Sequence, residues 1–266
     1  MRYGPSNARR HKPKLGQNFL VSQTASRAIV DALGDLSQAT VVEIGAGRGA
    51  LTSLLATRVK QLIAVELDPA LAALLQQSSA TVLCQDILTL DLTELATRSG
   101  VRLQVIGNLP YYISSPILMH LFTHSAVIDR AVLMTQREVA ERIVAPPGSR
   151  AYGLLSATTQ MYATVEYLFT LPPEAFAPPP EVHSAVIRLT MHSRFAELGL
   201  EPAGFQRFLR QVFALKRKTL ANNLRASGYS AAEVVAALTQ CAVDSQARAE
   251  AVSLEAMACL CRALNG

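Results

Sequence analysis

Between Thr40 and Gln136 the chain alternates short apolar runs with helical patterns, and this alternation constrains the fold more than any other feature. Thr40–Ile44, Gln61–Glu66, Thr81–Cys84, Arg102–Ile106 and Ala131–Thr135 are continuous runs, several rich in Val and Ile, each followed by polar residues or glycine. Short runs with that punctuation read as buried strands. The intervening segments, such as Ala50–Arg58, Pro69–Gln77 and Ser115–Phe122, read as helices, and Pro69 suits a first helical turn. Alternation of this kind predicts a parallel sheet with helices on both faces. Ser22–Leu33 is predicted to add an amphipathic helix ahead of the sheet.

A different pattern follows. Thr164–Leu171 and Ser184–Met191 read as two strands joined by the proline-rich loop Pro172–Pro180, so the sheet is expected to end in an antiparallel hairpin. Pro146-Pro147-Gly148-Ser149 is expected to be a flexible loop, and from about Glu201 the pattern is helical, with helices over Phe205–Phe213, Ala231–Leu238 and Leu254–Leu264. The expected class is therefore α/β, a Rossmann-like and mostly parallel sheet with a terminal antiparallel hairpin, plus a small all-α C-terminal domain. The boundary is drawn near Ser193, dividing residues 1–192 from 193–266.

Half the residues are hydrophobic and 17% are charged, enough for a real core and too little charge for disorder. No apolar stretch reaches the roughly 18 to 20 residues of a membrane span, and the basic N-terminus lacks the apolar segment of a signal peptide. Cys84, Cys241, Cys259 and Cys261 match neither a disulfide scaffold nor a zinc pattern, and Cys259 and Cys261 read as packing in an apolar helix. A reducing cytoplasm is the expected setting.

Glu43-Ile44-Gly45-Ala46-Gly47-Arg48-Gly49 follows the first predicted strand of the sheet and opens a helix. Glycines there allow a ligand to approach the backbone, although the spacing Gly-x-Gly-x-Gly is not the dinucleotide fingerprint. The stagger along the chain says more. Gly45, Glu66, Asp86 and Asn108 are separated by 21, 20 and 22 positions, about one strand–helix unit each, at or just beyond the carboxyl ends of predicted strands. Open α/β sheets bind ligands along that edge, so these four residues are expected to meet in one crevice. Glu66 can accept both hydroxyls of a ribose, and Asp86 can accept from an adenine amine.

Asn108-Leu109-Pro110-Tyr111 adds a second chemistry at the same edge. The residue before proline is held extended, which restricts the direction of the Leu109 carbonyl. Asn108 supplies an amide oxygen and Tyr111 a π-face. Two acceptors and a ring suit a flat heterocycle bearing an exocyclic amine. No histidine accompanies the motif, and His120 and His124 on the next helix read as surface or packing residues.

The formal net charge is +5, and its distribution is more informative than its size. Arg2, Arg9, Arg10, Lys12 and Lys14 crowd an N-terminal arm with no acid before Asp31. Arg207, Arg210, Lys216, Arg217, Lys218 and Arg225 form a second cluster, also without acids. Two single-signed clusters point to a polyanion, most simply a nucleic acid.

Over nearly its whole length the chain resembles the S-adenosylmethionine-dependent ribosomal RNA adenine dimethyltransferases, on the bacterial small-subunit branch linked to kasugamycin sensitivity. The likeness lies in Leu15-Gly16-Gln17-Asn18-Phe19-Leu20, Glu43–Thr52, Val65–Asp68, Gln85-Asp86, Asn108–Tyr111, Phe176–Val186 and Lys216–Leu220. It implies S-adenosylmethionine as cofactor, contacted by Asn18, Leu20, Gly45, Gly47, Glu66, Asp86 and Asn108. It implies that Asn108, Leu109 and Pro110 present the target amine and that Tyr111 and Phe176 sandwich the target adenine. The implied partner is small-subunit RNA in an immature 30S subunit, held by Arg9, Arg10, Lys12, Lys14 and the second basic cluster. A cytoplasmic monomer with no metal and no membrane association is expected. Lys216 stands where the family often has Arg, and His183 where Asp is frequent.

Three other readings compete: a large-subunit adenine methyltransferase of the macrolide-resistance type, a nicotinamide-dependent dehydrogenase, and a non-catalytic assembly factor. Leu109 and Lys216–Leu220 favour the small-subunit branch over the first. Glycine spacing and Asn108–Tyr111 disfavour the second, and intact motifs disfavour the third.

Overall fold

The computed structural model describes residues 18–265. The basic arm with Arg2, Arg9, Arg10, Lys12 and Lys14, and the motif residues Leu15, Gly16 and Gln17, lie outside them. A short strand β1 (Phe19–Leu20) and helix α1 (Gln23–Asp31) precede the alternating region. That region runs β2 (Thr40–Ile44), α2 (Thr52–Leu55), β3 (Gln61–Glu66), α3 (Pro69–Leu75), β4 (Thr81–Cys84), α4 (Leu92–Ser99), β5 (Leu103–Asn108), α5 (Ser114–Thr123) and β6 (Ile128–Gln136). Helices α6 (Arg137–Val144) and α7 (Leu154–Tyr162) then lead into β7 (Ala163–Leu171), β8 (Phe176–Ala177) and β9 (Ser184–Met191). Four helices complete the chain: α8 (Pro202–Val212), α9 (Leu220–Ala226), α10 (Ala231–Gln240) and α11 (Leu254–Asn265).

Seven strands form one sheet in the order β4-β3-β2-β5-β6-β9-β7. From β4 to β6 all pairs are parallel, and β9 pairs antiparallel with both β6 and β7. The result is a Rossmann-like, mostly parallel sheet that ends in the antiparallel hairpin. Every residue of β2 is buried, as a central parallel strand covered on both faces requires. Strand order reverses between β2 and β5, because β3 and β4 lie on one side of β2 and β5 on the other. This reversal opens a crevice at the carboxyl ends of the strands. Gly107 is obligatory beside it, since a Cβ there would lie 2.7 Å from the Ile44 carbonyl oxygen of the neighbouring strand.

The helical region is not a separate ball on a tether. Phe205, Phe208, Leu209, Leu224, Met257 and Leu260 belong to the same apolar cluster as Val105, Leu121, Ile143 and Met161 of the sheet and its helices. The Pro146–Ser149 segment is tied to this region too, by a hydrogen bond from Gly148 N–H to the Glu250 carbonyl at 2.7 Å.

Cysteine usage departs from expectation. Cys241, at the end of α10, and Cys259, in α11, form a disulfide with Cα atoms 5.8 Å apart, so Cys259 is a cross-link rather than packing. The bond follows from which faces of α10 and α11 meet, which spacing along the chain does not encode. Cys261 is a buried thiol, and burial raises its pKa.

Candidate active site

A cavity of about 830 Å³ opens at the carboxyl edge of the sheet, and Gly45, Glu66, Asp86 and Asn108 all line it. The four staggered positions meet because each terminates, or lies within two residues after, one of β2, β3, β4 and β5. Asn18, Leu20, Gly47, Leu109, Pro110 and Tyr111 share the same wall.

The loop after β2 is shaped by main-chain bonds to an acid from the next strand. Gly45, Gly47 and Gly49 have φ of 67°, 57° and 82°, in the left-handed region. Gly47 N–H donates to Glu66 Oε2 at 2.8 Å, and Asp68 N–H donates to Oε1 at 2.9 Å. Glu66 is therefore a fixed carboxylate that braces the glycine loop, with one further lone pair on each oxygen for a ligand. Asp86 is oriented similarly, its Oδ1 accepting from Leu88 N–H at 2.9 Å at the start of a single 3₁₀ turn.

At the end of β5, Asn108 donates from Nδ2 to the Asn18 carbonyl at 3.0 Å. This bond fixes the amide orientation and leaves Oδ1 as the acceptor. Leu109 N–H donates to the Met134 carbonyl at 2.9 Å and the Leu109 side chain is buried, so its backbone is held by β6. Among the described residues no donor occupies the Leu109 carbonyl. Two acceptors on adjacent residues thus lie directly ahead of Pro110. The half-buried Tyr111 ring is anchored by a 2.6 Å hydrogen bond between its hydroxyl and Ser184 Oγ. Burial raises the phenol pKa, partly offset by that bond.

A family model described as ribosomal RNA adenine dimethylase matches residues 8–265. The chain belongs to this ribosomal RNA adenine dimethylase family. It is 58% identical over 261 residues to a protein of Acidobacterium capsulatum named ribosomal RNA small subunit methyltransferase A, covering 96% of this chain and 92% of that protein. Among solved structures it is similar to the 23S rRNA methyltransferase ErmE, with TM-score 0.71 and 25% identity over 94% of this chain and 100% of that one. A dimethyladenosine transferase from Plasmodium falciparum shares the fold, with TM-score 0.77 and 22% identity over 91% and 95% of the two chains.

One expected member of this dimethylase's site is elsewhere. Phe176 is 3% exposed and is not among the residues lining the cavity. It pairs with Leu20 in the two-stranded β1–β8 ladder, which turns its ring into an apolar cluster with Leu171, Val186 and Met134. Of the two rings expected to sandwich the target base, Tyr111 lines the cavity and Phe176 packs in the apolar cluster behind β1. Tyr112 does line it and is 59% exposed. The sequence signal for Tyr112 was the tandem of two tyrosines.

Glu43 is the other residue that sequence reasoning left without a role. It is 2% exposed, lines the cavity floor and accepts a 2.7 Å hydrogen bond from Thr52 Oγ1. Burial pushes its pKa up to about 8, so the carboxyl is mostly neutral at pH 7. An acid within the otherwise apolar β2 was the available clue. His120 and His124 do not line the cavity; His120 Nε2 lies 3.0 Å from the Leu90 carbonyl and His124 Nδ1 3.0 Å from that of His120.

The second basic cluster is displayed by α8, the following loop and α9. Arg207, Arg210, Lys216, Arg217, Lys218 and Arg225 are all exposed, and none forms a salt bridge among the described residues. Asn223, buried in α9, shapes the loop by accepting from Leu215 N–H at 2.8 Å and donating to the Leu215 carbonyl at 3.3 Å. Among the described residues no group of His, Cys, Asp and Glu could hold a metal ion, and no helix is long and apolar enough to cross a membrane.

Proposed function

We propose that the chain transfers methyl groups from S-adenosylmethionine to the N6 amines of two adjacent adenosines in a hairpin near the 3′ end of small-subunit ribosomal RNA, within an immature 30S subunit. The observation that carries this reading is the joining of two chemistries in one cavity: a glycine loop with two fixed carboxylates, and a pair of acceptors without a donor among the described residues beside an aromatic ring. The name of the Acidobacterium relative supports the small-subunit substrate.

The residues present fit the cofactor. The cavity volume lies within the roughly 300–1,000 Å³ usual for small-molecule sites. Glu66 offers lone pairs to ribose hydroxyls, Asp86 to an adenine amine, and the backbone of Gly45 and Gly47 allows close approach. Asn18 and Leu20 complete the wall. When bound, the cofactor supplies an electrophilic methyl on a sulfonium centre.

The chain's own part is positioning and local polarity. An adenine amine is a weak nucleophile because its lone pair delocalises into the ring. Asn108 Oδ1 and the Leu109 carbonyl accept its two hydrogens and favour the pyramidal form, in which the lone pair is available. Pro110 keeps the Leu109 carbonyl in a fixed direction, and the anchored Tyr111 ring stacks on the base. The alkylated amine sheds its proton readily, so no strong base is required. Stacking contributes about 1–3 kcal/mol per base, enough to offset extraction from an unpaired loop.

Arg207, Arg210, Lys216, Arg217, Lys218 and Arg225 hold the RNA backbone in this reading, as do Arg9, Arg10, Lys12 and Lys14 of the arm. The protein acts as a monomer in the cytoplasm. That placement rests on the ribosomal substrate, since the Cys241–Cys259 bond removes the argument from cysteine usage. The decisive test incubates the purified protein with labelled S-adenosylmethionine and under-methylated 30S or 50S subunits, followed by mass spectrometry of the RNA nucleosides. Dimethyladenosine in small-subunit RNA alone is expected. Label in large-subunit RNA would overturn the substrate assignment in favour of the macrolide-resistance type.

A further inference from the structure

Arg48 sits between Gly47 and Gly49 of the loop, and its guanidinium carbon lies 4.4 Å from the centroid of the Phe19 ring. Both residues line the cavity. Phe19 is itself well held. Its neighbour Asn18 is bonded to Asn108 through the backbone carbonyl, and Leu20 pairs with Phe176. A Cβ on Gly47 would come 3.2 Å from the Phe19 ring, so the Phe19 segment and the glycine loop are in close contact. A guanidinium held over such a ring by cation–π attraction keeps its N–H donors available to a partner.

The charges around the cavity are unequal. Glu43, Glu66, Asp68 and Asp86 contribute carboxyl groups, whereas Arg48 is the one basic side chain among the described lining residues. The acids have internal duties: Glu66 braces the loop, Asp68 caps α3 through Ala70 N–H, Asp86 orders its turn and Glu43 accepts from Thr52. Arg48 has no salt-bridge partner among the described residues. S-adenosylmethionine carries two positive groups, which suit an acidic wall, and one α-carboxylate, which does not.

Resting on the cofactor reading above, we infer that Arg48, held over the Phe19 ring, binds the α-carboxylate of S-adenosylmethionine and is the determinant of selectivity for the amino-acid end of the cofactor. A planar guanidinium can meet a carboxylate with two parallel N–H donors, an arrangement that lysine cannot reproduce.

Isothermal titration calorimetry of the full chain with S-adenosylmethionine and with its decarboxylated analogue tests this directly. The unaltered protein should prefer the carboxylate-bearing ligand. Arg48→Met should weaken S-adenosylmethionine binding by about 10- to 100-fold, the scale of a lost charge-assisted hydrogen bond, and leave the analogue within about twofold. Arg48→Lys should fall between, and Phe19→Leu should weaken S-adenosylmethionine in the same selective way but less. A Tm matching that of the unaltered protein keeps misfolding out of the comparison. Equal losses for both ligands, or loss of RNA binding with S-adenosylmethionine affinity intact, would overturn the inference. An unaltered protein that binds neither ligand would instead bring down the cofactor reading itself.

Discussion

The cavity rim and the basic face of the helical region are built on opposite plans. At the rim nearly every polar group is already engaged by the main chain: Glu66 by two N–H groups, Asp86 by one, Asn108 by a carbonyl. On the basic face six cations are exposed and unpaired among the described residues. The contrast suits the two tasks of the proposed function. Presenting a weak nucleophile requires acceptors fixed before the substrate arrives, because any reorganisation is charged against the barrier. Holding a polyanion requires only a field, which mobile side chains supply through counterion release.

The largest expected effect separates the two plans. Asn108→Ala removes one of the two acceptors and the bond to Asn18. Methyl transfer to 30S subunits should fall by about a hundred- to a thousandfold, the range for loss of one preorganised polar contact. Affinity for small-subunit RNA should change less than twofold, as a filter-binding titration would register. A comparable loss in both measurements would mean that the rim and the basic face are not independent.

Next in size is a test of how rigid the rim's foundation is. Gly107→Ala forces a Cβ against the Ile44 backbone carbonyl, which cannot rotate away as a side chain could. Overpacking of this kind costs about 1–3 kcal/mol, so the urea midpoint should drop with m unchanged. An unchanged midpoint would show that β2 and β5 can spread without loss.

These contrasts also mark what the residues disclose in advance. Thr40–Ile44, Gln61–Glu66, Thr81–Cys84 and Ser184–Met191 are strands with the expected bounds, because short runs dominated by apolar residues end at polar or glycine residues. The convergence of Gly45, Glu66, Asp86 and Asn108 was legible for the same reason, since strand–helix units of similar length bring their ends to one edge. Local periodicity says less about short pieces. The helix expected over Ala50–Arg58 is confined to Thr52–Leu55, where Arg58 N–H turns back to the Leu55 carbonyl. Helices α6 and α7 were not anticipated, and α4 and α9 lie in stretches expected to be helical but given no bounds. Strands β1 and β8 have two residues each and meet across more than 150 positions, so no pattern within either announces the pairing. That pairing buries Phe176, and likewise the meeting of α10 with α11 creates the disulfide. Long-range pairings of single side chains are what a linear pattern omits.

A smaller effect should come from the other side of the comparison. The triple change Lys216→Ala, Arg217→Ala and Lys218→Ala leaves the loop's bonds to Asn223 in place, since they use the Leu215 backbone. Small-subunit RNA binding should weaken, and the slope of log affinity against log salt should lose about 0.7 to 0.9 for each phosphate contact removed. Turnover at saturating subunits should stay within about twofold if the charges only dock the substrate. An unaltered salt slope would remove these three residues from the RNA-binding face.

The subtlest prediction concerns the floor beneath the rim and changes a slope more than a level. Glu43 is buried with a carboxyl pKa raised by desolvation from 4.5 to about 8. Between those values the folded chain holds a proton that the unfolded chain has released. Stability from this group is therefore fully present below about pH 4.5 and is lost as pH rises through about 8. Glu43→Gln mimics the neutral acid, offering an oxygen to Thr52 and an N–H where the acid has its proton. Near pH 5 the two proteins should melt close together, and the Gln form should gain progressively as pH is raised toward 9. Parallel melting curves across that range would mean that water or a nearby donor stabilises the ionised Glu43. The floor of the cavity would then follow the basic face in tolerating charge, and the contrast between the two regions would stop at the rim.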